Sequence, residues 1–384
     1  MNIALVIEHM DVARGGREVA TAQLAAALSH AGQAVTILCQ SGVAVPGVPL
    51  RVLPAPGLTR RARLARFADA VAAVAGEFDI VHTTLPLPAA NVYQLHSGTI
   101  PGQTDAARRR RGPVVGPLLE ALAPLNRKRQ FTGRLEAAMM ADRRVLMLPV
   151  SQLVADEIAR HYGRRDNVRV LYNAIEPPPL TDDQRREHRR RLRDKLGLSD
   201  DDMLFLTVAK KYALKGVAQT IEAFAAWHRQ ADRRGRLVVI GRDPVEREGY
   251  VRHASVRGVG NACTFLGHES NLAPWYLAAD VNVLLTWYDP CSRIVLEAAC
   301  LGLPSITTAF NGATERLADN AAIVVPSPRD THAVVAAMHT LTNPAARDAM
   351  RKAGLDVIPK LTMRQHVREM MDAYEAVMRQ NDHT

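Results

Sequence analysis

No stretch of about 18 apolar residues runs free of charge in this sequence, so no membrane-crossing helix is expected. Cysteine is scarce. The four thiols, Cys39, Cys263, Cys291 and Cys300, lack metal-ligand spacing, and no histidine pattern completes a site. That argues against a zinc module or a disulfide framework and for reduced thiols in a cytoplasmic protein. The first residues, MNIALVIEHM, have no basic start and no A-x-A site, so they read as a strand and not as a signal peptide. No G-x-G-x-x-G occurs, so a dinucleotide site is not supported. No D-x-D pair stands at the carboxyl end of a strand, so no metal is expected. Aromatic residues make up only 5% of the chain, and none stands inside its basic clusters. A single-strand nucleic-acid surface would interleave the two.

What is present is ample for two cores. The chain has 384 residues, of which 47% are apolar and 23% charged, values of a globular protein of about two domains. The net charge is +10, and it is clustered: RRARLAR at 60–66, RRRR at 108–111, NRKR at 126–129 and REHRRRLR at 186–193. Basic excess serves nucleic acid, an anionic membrane or an acidic substrate. No nucleic acid is expected here. The open readings are a membrane surface, a phosphorylated acceptor, or merely solvated helix faces and loops.

The most informative stretch is 281–315. An apolar run, Val281 to Leu285, suits a buried strand. The turn Asp289-Pro290-Cys291-Ser292 follows, then a helix from Arg293 to Leu301 with Ser292 at its N-cap, stopped by Gly302 and Pro304. A second strand, Ser305 to Thr308, leads to Asn311-Gly312. Strand, helix and strand form a βαβ unit with a right-handed crossover. Ligands bind such sheets at the carboxyl ends of the strands. A helix start offers N–H groups and partial positive charge to a phosphate. Glu297, about one and a half turns into the helix, is placed to accept two ribose hydroxyls. Asp289 sits where a sugar ring would meet it.

These residues resemble a known family. Asp289 and Glu297 stand eight apart, similar to the E-x7-E signature of retaining family 4 glycosyltransferases with the GT-B fold, with Asp in place of the first Glu. LEAACLGLPSITTAFNGATE resembles the family's helix, its Gly-x-Pro and its Gly-x-x-Glu. AKKYALKG resembles the family's Gly-Arg, four residues, then Lys-Gly, with Ala209 for Gly and Lys210 for Arg. Asn173-Ala174-Ile175-Glu176 resembles N-G-V-D, and Tyr276 to Asp280 resembles Y-x-x-A-D. The KKYALKG stretch and its spacing to Asp289 are most similar to the lipopolysaccharide-core glucosyltransferases of this family.

The rest of the chain is in keeping with an α/β fold of two doubly wound Rossmann-like domains, which the resemblance sets across a central cleft. Strands are expected at Ile3–Ile7, Ala34–Leu38, Leu50–Leu53, Asp79–His82, Val92–Leu95, Val145–Val150 and Val168–Leu171. A helix from Glu18 to His30 follows the loop of Gly15-Gly16, a pair that allows close backbone approach to a ligand. The second half should carry strands at Met203–Val208, Leu237–Ile240 and Cys263–Leu266 and a helix at Val217–Gln230. Three consecutive prolines and a highly charged helix place the hinge in 177–200. The expected domains are 1–178 and 197–361, with the last helix, from 362, returning to the first. The segment 101–134 departs most from the family. Its stretch 115–134 is either a surface for lipid headgroups or a solvated loop.

By that resemblance the chain is expected to move a hexose from a nucleoside diphosphate sugar, UDP-glucose first, to a cell-envelope glycan or glycolipid, with retention. It needs no cofactor beyond this donor and works in the cytoplasm or on the inner membrane face. Lys210 and Lys215 neutralise the leaving diphosphate. Gly15, Gly16 and the helix start at Cys291, Ser292 and Arg293 add donors. Glu297 holds the ribose, Asp289 the sugar hydroxyls, and His96 orients the sugar. Arg242 lies near the base, and Asn311 and Gly312 complete the donor site. Ala209, Lys210 and Asp289 also leave open a catalytically silent sugar-nucleotide binder or membrane scaffold.

Overall fold

The short apolar runs read from the sequence become strands because only a parallel sheet covered on both faces buries them completely. In the computed structural model, residues 1–121, 127–231, 234–241, 247–317 and 320–381 are described, with side chains outside 113–121, 127, 128 and 381. In chain order the first half holds β1 (Asn2–Met10), α1 (Gly16–His30), β2 (Ala34–Gly42), β3 (Leu50–Val52), α2 (Arg60–Val74), β4 (Ile80–Thr83) and β5 (Val92–Leu95). It continues with α3 (Ile100–Ala121), α4 (Arg127–Ala141), β6 (Leu146–Pro149) and α5 (Gln152–Tyr162). The second half holds α6 (Asp182–Lys195), β7 (Met203–Val208), α7 (Val217–Gln230), β8 (Gly235–Ile240), α8 (Arg247–Val256), β9 (Cys263–Leu266) and α9 (Ala273–Ala278). Then come β10 (Val281–Leu284), α10 (Arg293–Cys300), β11 (Ser305–Thr308), β12 (Ala322–Val325), α11 (Thr331–Thr340), α12 (Pro344–Leu355) and finally α13 (Met363–Asn381).

Among the described residues the strands form two six-stranded sheets, ordered β3-β2-β1-β4-β5-β6 and β12-β11-β10-β7-β8-β9. The paired strands are parallel. In each sheet the strand order reverses once, between β1 and β4 and between β7 and β10. Ligands of doubly wound sheets bind outside the carboxyl ends of the strands at that reversal.

The chain divides into two compact units, residues 1–174 with 361–384, and residues 175–360. In the first unit α13 contributes Met370, Ala373, Tyr374 and Val377 to the core around β1 and β2. His82, on β4, is 1% exposed, and its Nδ1 lies 2.6 Å from the Tyr374 hydroxyl. Burial, then the nearby His366, pushes its pKa down to about 3, so it stays neutral and fastens α13. In the second unit Phe205 meets Phe224 and Trp227 edge to face on one side of the sheet. Leu204, Leu206, Trp275 and Tyr276 fill the other side.

Four expectations need adjustment. The charged helix assigned to the hinge is α6, a built part of the second unit. Arg193 and Asp280, 3% and 4% exposed at the side chain, pair at 3.0 Å, and Arg189 reaches the other Asp280 oxygen at 2.7 Å. Asp280 also accepts the Leu204 N–H at 2.8 Å. The strand expected at 168–171 is instead an extended stretch on the edge of β6: the Arg169 and Leu171 N–H groups donate to Met147 and Pro149 carbonyls at 2.9 Å. Residues 101–121 are helical, not a loop, with the helix broken at Gly112 (φ 83). The side chains of 115–128 lie outside the described residues, as does part of the NRKR cluster. The helix start also lies earlier than expected, at Gly16. Among the described residues no helix is long and apolar enough to cross a membrane.

Candidate active site

The carboxyl ends of β7 and β10 are neighbours, so the loops that leave them meet. The loop after β7 carries Lys210 and Lys215 and closes on Gly216 (φ 67) before α7. That left-handed conformation is cheap only for glycine. A side chain at 216 would also run into the Leu285 carbonyl. The loop after β10 is tied to it by backbone and hydroxyl bonds. The Trp287 N–H donates to the Leu214 carbonyl at 2.9 Å, and the Thr286 hydroxyl lies 3.3 Å from the same carbonyl. Thr207, Thr307 and Thr308 hydroxyls satisfy further carbonyls on β10 and its loop, Val283, Leu284 and Thr286, at 2.9, 2.9 and 2.6 Å. Buried carbonyls are thus paired and the loops held rigid.

This bracing brings Lys215 to Asp289. Their side chains form an ion pair and are 20% and 13% exposed. Lys210, in the same loop, is exposed. Asp289 is pinned through its backbone: its N–H donates to the Phe310 carbonyl and its carbonyl accepts the Gly312 N–H, each at 2.9 Å. Gly312 therefore serves as a backbone clamp on the acid-bearing loop.

Asn311 is buried and spends its side chain inside the protein. Its Oδ1 accepts the Ser292 and Ala313 N–H groups at 3.2 and 3.1 Å, and its Nδ2 donates to the Thr307 hydroxyl at 3.1 Å. It fixes the start of α10, where the sequence had suggested a direct ligand contact. Cys291 and Ser292 are 5% and 2% exposed. Ser292 occupies the N-cap, but its hydroxyl caps no helix N–H and has no hydrogen-bond partner. A buried hydroxyl left unpaired costs about 1–3 kcal/mol, a cost that a bound oxyanion at this helix start would remove.

Glu297 is one of the two acids of the motif, and its surroundings define it. The Tyr276 hydroxyl lies 3.2 Å from Oε2, and the Arg293 Nε lies 3.4 Å from Oε1. Burial pushes the Glu297 carboxyl above the ordinary carboxylate range, while Arg293 and Tyr276 pull it back down. Burial and the Glu297 charge keep the Tyr276 hydroxyl protonated, so it donates. Tyr276, which the sequence reading treats only as a family mark, is the side chain that steadies Glu297. Its 21-residue spacing to Glu297 carries no helical periodicity; the two meet because α9 and α10 share one buried cluster. Burial also pushes the Cys300 thiol up to about 12, which removes it from chemistry near neutrality.

In the first unit, Gly15 precedes α1 without a side-chain cap, and Gly16 is the first helical residue. His96 follows β5 directly, half-buried, with its N–H on the Gln94 carbonyl at 3.1 Å. Both stand at the carboxyl edge of the first sheet. Arg242 lies outside the described residues. Among the described residues no cluster of three or more metal-ligating side chains occurs.

Comparison with known proteins gives the family and the fold. Residues 14–177 match the family model "Glycosyltransferase Family 4", and residues 188–356 match "Glycosyl transferases group 1". The chain belongs to the GT-B glycosyltransferases. Among relatives of this glycosyltransferase, the Escherichia coli lipopolysaccharide glucosyltransferase WaaG is 26% identical over 184 residues, 48% of this chain and 49% of that protein. The chain thus spans about half the length of that curated relative. The crystal structure of WaaG, described as involved in lipopolysaccharide biosynthesis, superposes with a TM-score of 0.81 at 20% identity, covering 96% of this chain and 98% of that one. Anabaena HepE, solved with UDP and glucose, gives a TM-score of 0.72 at 16% identity over 98% and 99% of the chains.

Proposed function

We propose that this glycosyltransferase moves a hexose from a nucleoside diphosphate sugar to an acceptor hydroxyl with retention of configuration, UDP-glucose being the donor tested first. One observation carries the reading: at the strand-order reversal of the second unit, a lysine ion pair and an unpaired buried serine hydroxyl at a helix start stand in the loop system that leads to the half-buried carboxylate of Glu297. A diphosphate needs cations and N–H donors, and a ribose needs a carboxylate that accepts two hydroxyls.

In the reaction the bond between the sugar C1 and the diphosphate oxygen breaks, and the acceptor oxygen bonds to C1. The acceptor proton passes to the departing diphosphate, so no side-chain base is required. Charge grows on the diphosphate as the bond breaks. Lys215, held in place before the reaction, stabilises that charge at no cost of reorganisation. Lys210 adds a second cation from the same loop. Asp289 orients Lys215 and faces the sugar hydroxyls. His96 and Gly15-Gly16, at the carboxyl edge of the first unit, keep the roles that the family resemblance implies. The likeness to WaaG favours a cell-envelope glycan or glycolipid as acceptor, met at the cytoplasmic face of the membrane.

The test is a panel of nucleotide sugars followed by thermal unfolding and by release of the nucleoside diphosphate. A donor at about a hundred times its Kd stabilises the fold by roughly 2.7 kcal/mol. Stabilisation together with release supports the reading. Stabilisation with no release, with or without acceptors, would mark a silent binder, and neither would overturn the donor site.

A further inference from the structure

The opposite edge of the second sheet, where β10 and β11 begin, carries a cavity of about 390 Å³. Five arginines line it: Arg185, Arg186 and Arg189 from α6, and Arg347 and Arg351 from α12. Arg185 and Arg189, and likewise Arg347 and Arg351, stand four apart, which sets each pair on one face of its helix. Two carboxylates are also present, Asp280 and Asp348. Asp280 is already taken up by Arg189 and Arg193. Asp348 is largely exposed and lies 3.5 Å from Arg351.

Two of the arginines are held by backbone carbonyls, while Arg186, largely exposed, pairs with Asp183 outside the cavity lining. The Arg347 guanidinium donates to the Leu341 and Thr342 carbonyls at 2.8 and 3.0 Å. Arg189 donates to the Leu277, Ala278 and Ala279 carbonyls at 3.3, 2.9 and 3.2 Å. Arg351 lies over Gly302 (φ 78), where an added Cβ would stand 2.7 Å from its Cγ. A larger residue at 302 would push this arginine off the rim. Backbone carbonyls position a guanidinium without cancelling its charge. Like charges gathered in a concave wall focus their field on the space between them, and the planar fork matches phosphate oxygens.

We infer that this cavity binds a phosphoryl group bearing at least two negative charges, a phosphate monoester or diphosphate, either free in solution or on a lipid headgroup. It is a second anion site, at the amino edge of the sheet whose carboxyl edge carries Lys215 and Ser292.

The experiment titrates the full chain with inorganic pyrophosphate by calorimetry, and with vesicles of phosphatidylcholine alone or containing phosphatidic acid, whose headgroup is a phosphate monoester, by co-sedimentation. Both are run on the parent and on Lys215→Ala, so that loss of the donor site and loss of this cavity are told apart. The double variant Arg185→Gln/Arg351→Gln should weaken one binding event by about tenfold for each arginine in either background. Arg190→Gln, on α6 but outside the cavity, should leave it unchanged. Weakening confined to pyrophosphate assigns a soluble phosphate ligand; weakening confined to the anionic vesicles assigns a headgroup. Binding that the double variant leaves intact, an equal loss from Arg190→Gln, or no binding of either probe overturns the inference. Arg186→Gln alone, at an exposed position, provides the same readout should the double variant fail to fold.

Discussion

Removing the Lys215 ammonium tests the proposed chemistry and the packing together. In Lys215→Ala the Asp289 carboxylate loses its partner. Breaking a fully buried ion pair costs about 3–5 kcal/mol, and an exposed pair is worth about 0–1 kcal/mol. Side-chain exposures of 20% and 13% place this pair between those limits, at about 1–2 kcal/mol of stability. The effect on turnover should be larger. A preorganised charge at a developing anion is worth about 3 kcal/mol, roughly a hundredfold in rate. The stranded carboxylate adds repulsion toward the diphosphate. Asp289→Asn removes that repulsion, so the double variant should be less impaired than the sum of the two singles, with a coupling of about 0.5–3 kcal/mol. The fold should survive, because Asp289 is pinned by its backbone to Phe310 and Gly312. Denaturant unfolding gives the stability arm, and single-turnover release of nucleoside diphosphate gives the kinetic arm. Turnover unchanged in Lys215→Ala, or strictly additive singles, would refute the reasoning.

Two further outcomes are expected. Glu297 must be ionised to accept both ribose hydroxyls, and burial raises its pKa; the proton therefore returns at a higher pH than for a free carboxyl. Nucleotide affinity should fall on acidification with an inflection above the ordinary carboxylate range, and Glu297→Gln should weaken binding by about tenfold and abolish that inflection. An inflection that survives the substitution would assign it to another group. His82 is buried neutral with a pKa of about 3, so the unfolded chain takes up a proton near pH 6.5 that the folded chain refuses until about pH 3. Its contribution to stability is present above the unfolded value and is lost as pH falls, on the order of 3 kcal/mol by pH 4.5. Urea unfolding at pH 7.5 and 4.5 should show this slope flattened in His82→Gln; equal slopes would remove His82 as the cause.

Much of the second unit was legible in the sequence because its strands are short apolar runs bounded by Gly, Pro and polar turns. Val217–Gln230 and Ser305–Thr308 coincide with α7 and β11. The Asp289 and Glu297 spacing marked the loop and the helix that follow β10. Other features depended on contacts that no spacing encodes. The α6 helix looks like a linker by composition, with a run of charge and few apolar residues. Its Arg193 and Arg189 nevertheless reach a buried acid 87 and 91 residues away in sequence. Asn311 looks like a ligand contact until its bonds to Ser292, Ala313 and Thr307 are seen. The Trp287 to Leu214 bond, which sets Lys215 beside Asp289, is made by backbone groups and leaves no residue signature. The stretch 168–171 reads as a strand because it is largely apolar and extended; it does run beside β6, joined by the Arg169 and Leu171 N–H groups, but it forms only the single bridge of Val168 with Met147.

The most direct measurement is a structure of the chain with UDP bound. The account predicts a terminal phosphate within hydrogen-bond reach of the Lys215 Nζ, the Ser292 hydroxyl on that same phosphate group, and both ribose hydroxyls on Glu297. A nucleotide bound elsewhere, with Ser292 still unpaired and Glu297 still held only by Tyr276 and Arg293, would contradict it.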